Sequence, residues 1–465
     1  MAESRTFTGL LAATAVGVYL LVIAGATATI TDAVAACSSW PLCRGPVTLA
    51  EPDLLIARGH RLIAAVVGVL ALGTVALGLR TATRRRVKVA LLVGIALYPV
   101  QIALGAFVAT AGPAALPGAH LGVGMAIFVS FVLALAWQLE FETGDDDETP
   151  VEDLSPAPIP DEDETDSPTP VAALSTKERV LGTLGAYFRL MKPRLMWLLC
   201  LVAAAGMALA AGPALTTRTV LLTLGGGVLA IGSSGTFNHV LERDIDKRMD
   251  RTSDRPIATH RIPVANAMAF GVALAAAALV LFWQVNVLAA ALGLTAIVFY
   301  SVIYTLVLKP NTVQNTVIGG AAGALPALIG WVAVEGSLGL PGIALAGVIF
   351  LWTPAHFYNL ALAYKDDYEA GGFPMMPVVR GETETRKHIV YYLGATLVGS
   401  GVLAALTSLG WLYALTSASV GAVFLWTVIR LHREQTEGAA FRAFHASNAY
   451  LGLLLVAIVV DSLAL

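Results

Sequence analysis

The chain has 465 residues, 57% of them hydrophobic and only 13% charged, with a mean hydropathy of +0.75. Soluble domains carry about 25% charged residues, so the composition excludes a water-soluble globular protein and predicts an all-α polytopic membrane protein in a lipid bilayer. The net charge of −3 hides a split: residues 140–167 hold 13 acids and no Lys or Arg, leaving the remainder at +10.

Apolar runs of 18 or more residues, long enough to cross a bilayer as helices, recur about thirteen times. Four come first, near 8–30, 62–80, 88–110 and 120–138. The first is too long for a signal-peptide core and has no obvious cleavage site, so it reads as a retained span. The loop after it contains Cys37-Ser-Ser-Trp-Pro-Leu-Cys43, whose two thiols allow a disulfide without requiring one. Gly59-His60-Arg61 begins the second span and His120 the fourth, so two imidazoles stand at the outer ends of inward-running helices. Residues 140–176 are acidic and Pro-rich, the composition of an extended, disordered linker. The predicted organisation is a four-span module at 1–139, the linker at 140–176 and a nine-span module at 177–465.

The nine later spans lie near 194–212, 218–237, 264–283, 287–307, 314–334, 341–361, 388–409, 411–430 and 446–464. Cys200, within the first of them, is an apolar filler. Two polar islands interrupt the series. Asn238-His-Val-Leu-Glu-Arg-Asp-Ile-Asp-Lys-Arg-Met-Asp250 is the first. Asn238, Glu242, Asp246 and Asp250 step by four and share one face if the segment is helical. Acids so crowded are tolerable when a divalent cation and its phosphate ligand sit among them. The second island is Tyr364-Lys-Asp-Asp-Tyr-Glu-Ala-Gly-Gly-Phe-Pro374. Arg243, Lys247, Arg248, Arg251 and Arg255 surround the first, and Lys365 and Arg380 the second. Oxygen donors for a metal beside cations for phosphate suit a diphosphate. An ordinary basic loop with balancing acids explains poorly why two distant loops share this make-up. With the N-terminus inside, Arg44, Arg58, Arg61 and Arg218 fall outside and the other 25 of 29 Lys and Arg inside. That orientation puts both islands on the cytoplasmic side of the cell membrane. Nothing calls for a nucleic-acid partner.

Further motifs follow in order: Lys192-Pro-Arg194, Arg251-Thr252, Arg255-Pro256, Tyr304-Thr305 with Lys309, and Asn315-Thr-Val-Ile-Gly-Gly-Ala-Ala-Gly-Ala324 with Trp331. Trp352-Thr-Pro-Ala-His-Phe357, Pro374-Met-Met-Pro-Val-Val-Arg-Gly381, and Phe444-His445 with Ser447 and Tyr450 complete the set. Over 175–465 the chain resembles the UbiA-type intramembrane prenyltransferases and, more narrowly, the protohaem IX farnesyltransferases, or haem O synthases. The resemblance implies a nine-helix bundle in which Mg²⁺ and farnesyl diphosphate are held by two Asp-rich motifs. Asn238, Glu242, Asp246 and Asp250 match the first and Asp366 and Asp367 the second, with Asn238, Glu242, Asp246, Asp250 and Asp367 as metal ligands. Lys192, Arg243, Arg251, Arg255, Lys309, Lys365, Tyr304, Tyr368 and His356 are the implied substrate-binding residues, with Trp352 and Phe357 as further aromatic lining. Glu242 stands where the family usually has Asp, and Pro310 where an Arg is common. The implied reaction joins the farnesyl group to a vinyl of haem B with water addition, making haem O for haem-copper oxidases.

The first module resembles half of a haem A synthase, which implies a bound haem with His60 and His120 as ligands. It also implies haem A synthase or oxidase-assembly proteins as partners. Ala57 occupies a position where that family has Glu. Two other readings stay open: a prenyltransferase for a quinone precursor or lipid acceptor, and a haem-binding electron-transfer or carrier protein.

Overall fold

A computed structural model describes residues 2–28, 33–37, 39–43, 51–111, 116–144, 151, 154–159 and 175–464. Among these the only regular structure is helical. Thirteen helices are long and apolar enough to cross a membrane, four before the linker and nine after it. That matches the expected number and order, with shifted ends: the run expected at 8–30 is Ser4–Ala26, and that at 120–138 is Leu116–Thr143. Arg44 and the acidic residues of 145–150, 152–153 and 160–174 lie outside the described residues.

One helix was not anticipated. Thr176–Leu190 starts at a capping box in which Ser175 and Glu178 satisfy each other's backbone N–H groups. Val180, Leu181, Leu184 and Phe188 are exposed along one stripe, the pattern of a helix lying in a lipid interface.

The chain forms two compact units. The first comprises 1–148, 354–359 and 383–462, the second 149–353, 360–382 and 463–465. Packing thus groups the last three long helices with the first four.

In the first unit, Ala2–Ala28 packs on Pro52–Arg80, Leu116–Thr143 and Trp411–Glu434. The buried Tyr19 hydroxyl pairs with Ser417 Oγ at 2.5 Å, and Ser400 Oγ with the Tyr450 hydroxyl at 2.9 Å. In an apolar interior such hydroxyls need each other. Trp137 Nε1 donates to the Tyr391 hydroxyl at 2.6 Å, and Lys387 reaches Glu140 at 3.1 Å. Cys37 and Cys43 are joined by a disulfide. Arg61 fixes their loop by donating to the carbonyls of Ser39 at 2.7 Å and Pro41 at 3.1 Å.

In the second unit, Pro193–Ala211 crosses Asn315–Glu335 at two glycines. A Cβ on Gly206 would lie 2.5 Å from the Ala327 carbonyl oxygen, and one on Gly330 would collide with that of Ala203. Close backbone approach at small residues replaces the hydrophobic drive that lipid removes. Phe282 fills the space left by Gly226 and Gly293. Val287–Val298 continues into a π-helical stretch, Phe299–Leu308, and ends with Lys309–Asn311.

Candidate active site

The helix Thr217–Leu241 delivers the first island. Beyond its end, Glu242 N–H still bonds to the Asn238 carbonyl at 2.9 Å and Asp246 N–H to that of Glu242 at 2.8 Å. The four-residue step therefore persists through Asp246. Then Arg248 and Met249 N–H turn back only three residues, to Ile245 at 2.9 Å and Asp246 at 3.4 Å. That tighter turn carries Asp250 off the shared face. Asn238, Glu242 and Asp246 are buried, whereas Asp250 is exposed. The helix expected to align all four stops one step short.

Buried cations meet these acids. Lys309 Nζ donates to Glu242 Oε1 at 2.6 Å, and Arg255 holds both oxygens of Asp246 at 2.7 and 2.9 Å. Arg255 also lies 3.8 Å from Glu242. Lys192 donates to Asn238 Oδ1 and, at 3.3 Å, to the Tyr300 hydroxyl. Asn238 Nδ2 in turn donates to Thr305 Oγ1 at 3.2 Å. Burial alone would raise the Glu242 carboxyl, but Lys309, Lys192 and Arg255 hold it below its usual range. At Asp246 burial wins over Arg255, and the carboxyl is pushed up. Desolvation, followed by the nearby Arg255, brings the Lys192 ammonium down to about 7.

The π-helical stretch sets this register. Tyr300 and Lys309 are nine residues apart, which at 3.6 residues per turn is two and a half turns, on opposite faces. Bonds of the i→i+5 kind widen each turn; the Lys309 N–H bonds to the Tyr304 carbonyl, and Thr305 Oγ1 reaches the Tyr300 carbonyl at 2.8 Å. Both Tyr300 and Lys309 then meet the first island, one through Lys192 and one through Glu242.

The second island closes on the first. Asp367 accepts the backbone N–H of Asp250 and of Arg251, each at 3.2 Å. Arg251 stacks over the Tyr364 and Tyr368 rings, 4.8 and 5.2 Å from their centroids, and donates to the Tyr368 hydroxyl at 3.2 Å. Lys309 Nζ sits 4.1 Å from the centroid of the buried Phe373 ring. Two segments more than a hundred residues apart thus form one charged cluster.

Other expected residues lie elsewhere. Asp366 is exposed, and Lys365 pairs with Glu382 at 3.3 Å. Arg243 is largely exposed and pairs with Asp244 at 3.5 Å. Tyr304 stacks with Tyr300 at 5.6 Å and packs on Gly319. Trp352 is buried. His356 and Phe357 belong to the first unit, where His356 Nδ1 bonds to Ser447 Oγ at 2.7 Å and its ring stacks on Phe444. Tyr300, Tyr364, Thr305 and Phe373 join the cluster without having been assigned roles. Tyr300 was signalled by its four-residue spacing from Tyr304, and Tyr364 and Phe373 by their places in the second island.

The five expected metal ligands do not form one shell. Among the described residues, no three His, Cys, Asp or Glu side chains are placed to hold a metal. The donor chemistry nonetheless fits Mg²⁺ brought with a diphosphate, since Mg²⁺ takes one or two carboxylates and fills its shell with phosphate oxygens and water. Glu242, Asp246 and the amide of Asn238 carry hard oxygen atoms, and the cations of Lys192, Arg255 and Lys309 lie beside them.

The first unit holds His60 and His120. Each Nδ1 is buried without a hydrogen-bond partner among the described residues. Gly25 and Gly105 lie against the two imidazole Cε1 atoms, and Gln101 Nε2 is 3.3 Å from His120 Nε2.

An all-helical membrane bundle with paired acidic loops and diphosphate-suited cations defines an intramembrane prenyltransferase. The chain belongs to the UbiA prenyltransferase family, whose profile matches residues 198–453. It is 76% identical to the protohaem IX farnesyltransferase of Haloarcula marismortui over 465 residues, all of both chains. It is 43% identical to protohaem IX farnesyltransferase 1 of Saccharopolyspora erythraea over 295 residues, 63% of this chain and 94% of that one. A solved structure from work on digeranylgeranylglyceryl phosphate synthase shares the fold, with a TM-score of 0.52 at 16% identity, covering 61% of this chain and all of that one.

Proposed function

We propose that this chain transfers the farnesyl group of farnesyl diphosphate to a vinyl group of protohaem IX, with addition of water, to make haem O. The observation that carries the reading is full-length identity of 76% to a protein named for this activity. The joined acidic islands supply the matching chemistry. A quinone or lipid acceptor finds no such support.

Asn238, Glu242 and Asp246 would hold Mg²⁺, with Asp367 bracing the first island, and the ion would neutralise phosphate charge as pyrophosphate departs. The chain's own residues do the rest. Lys192, Arg251, Arg255 and Lys309 neutralise the diphosphate head from several sides. As the allylic C–O bond breaks, its electron pair leaves with pyrophosphate. The vinyl carbon bonds to the farnesyl C1, and water then captures the new cation and releases a proton. Tyr300, Tyr364, Tyr368 and Phe373 are aromatic faces suited to shelter positive charge.

The catalytic set belongs to 177–465, in keeping with the 295-residue alignment to the Saccharopolyspora protein. The N-terminus and both islands face the cytoplasm, as the Lys and Arg distribution indicates. Detergent-solubilised protein supplied with haem B, farnesyl diphosphate and Mg²⁺ should form haem O, read by mass. Asp246→Ala and chelation of divalent cations should each reduce product to background. Product lacking a farnesyl group, or full activity in excess chelator, would refute the assignment.

A second role belongs to the first unit. His60 and His120, with their unpartnered Nδ1 atoms, are suited to bind one haem through paired imidazoles. Haem A synthase and oxidase-assembly proteins are the partners such a module would serve. His60→Ala should remove a bound-haem absorption band while haem O formation continues.

A further inference from the structure

The linker was expected to be free, yet its described residues in the second unit lie along the second acidic island. Val151 N–H donates to the Val378 carbonyl at 3.2 Å, and Ala157 N–H to that of Ala370 at 2.9 Å. Pairing 151 with 378 and 157 with 370 makes the two segments antiparallel. Between these bonds the Pro156 ring occupies the space above Gly372, where an added Cβ would lie 2.6 Å from Pro156 Cγ. Gly372 has φ of +70°, a conformation that costs other residues free energy.

The segment is suited to this contact. In Leu154-Ser-Pro-Ala-Pro-Ile159, prolines flank Ala157 and favour an extended chain. Such a chain loses little freedom when it docks. The contacts continue inward from Gly372. Its neighbour Phe373 underlies Lys309, which holds Glu242, and the Phe373 N–H bonds to the Tyr368 carbonyl at 2.9 Å. Gly371 N–H bonds to the carbonyl of Asp367, whose carboxylate grips the first island.

We infer that residues 154–159 are a positioning strap, holding the second island in the register that joins Asp367 to the first island and seats Phe373 beneath Lys309. Affinity for the prenyl diphosphate therefore depends on the linker. This rests on the proposed activity only for its kinetic consequence.

The test uses the full chain in detergent. Ala157→Pro removes one N–H from a segment already extended. Hydrogen–deuterium exchange in the peptide 364–380 should quicken, most at Gly371 to Phe373. The KM for farnesyl diphosphate should rise roughly fivefold, about what one net hydrogen bond is worth, with kcat held within about twofold. Pro156→Gly keeps both N–H donors and loosens only the ring contact; it serves if the first variant does not fold. Unchanged exchange, or faster exchange with unchanged KM, overturns the strap. Absence of haem O from the wild-type chain would instead overturn the activity, while exchange still decides the strap.

Discussion

Glu242 is the residue on which the acidic cluster turns. Its extra methylene, relative to the Asp usual in the resembled family, lets the carboxylate meet Lys309 at 2.6 Å. Both side chains are buried, so removing Lys309 leaves Glu242 with only the looser Arg255 contact at 3.8 Å. Lys309→Met should destabilise the protein by about 1–3 kcal/mol, read as a lower thermal midpoint in detergent. Adding Glu242→Gln should restore most of that stability without restoring haem O formation. Glu242→Asp should keep the charge but loosen the Lys309 bond, lowering haem O turnover roughly tenfold, the scale of one charge-assisted hydrogen bond. The acids and most of their cations were legible as residue types with a recognisable order. Which cation meets which acid was not, because that depends on side chains arriving from other helices. Asp250 shows the limit: spacing put it on the shared face, and a local change to three-residue turns removed it.

At the scale of helices, close crossings determine what the chain tolerates. Gly330→Ala forces a methyl against the Ala203 carbonyl and should cost about 1–3 kcal/mol, as overpacking does. Gly227→Ala, with nothing within 4 Å of the new methyl, should be neutral or slightly stabilising. Parallel thermal melts would separate the two. All thirteen spans could be read from hydropathy because lipid demands long apolar runs. The amphipathic helix Thr176–Leu190 escaped because its apolar residues alternate with charged ones and its total hydropathy is low. The π-helical stretch escaped for another reason: its apolar residues look the same whether the backbone bonds reach four residues back or five.

At the scale of the whole molecule, the first four long helices belong to a compact unit that also contains residues 383–462, which carry nearly all of the last three. The fragment 177–465 should retain farnesyl transfer, since its catalytic side chains are all present, but with a raised KM for farnesyl diphosphate, since the 154–159 strap is gone. It loses Tyr19 beside Ser417, Trp137 beside Tyr391 and Glu140 beside Lys387. Its thermal midpoint should therefore fall by roughly 5–10 °C relative to the full chain, measured with both in the same detergent. An unchanged midpoint would show these contacts to be incidental. The linker's composition marked a boundary between modules, but composition carries no information about which helical faces are buried together.

The wide-turned stretch at Phe299–Leu308 has a genetic corollary. Loss of a single codon there, for instance that of Val302, would leave an intact reading frame and a continuous apolar rod. Circular dichroism and membrane insertion would report nothing amiss. Yet everything downstream would turn about the helix axis, swinging the Lys309 ammonium away from its carboxylate, so a one-residue deletion would act as an active-site mutation.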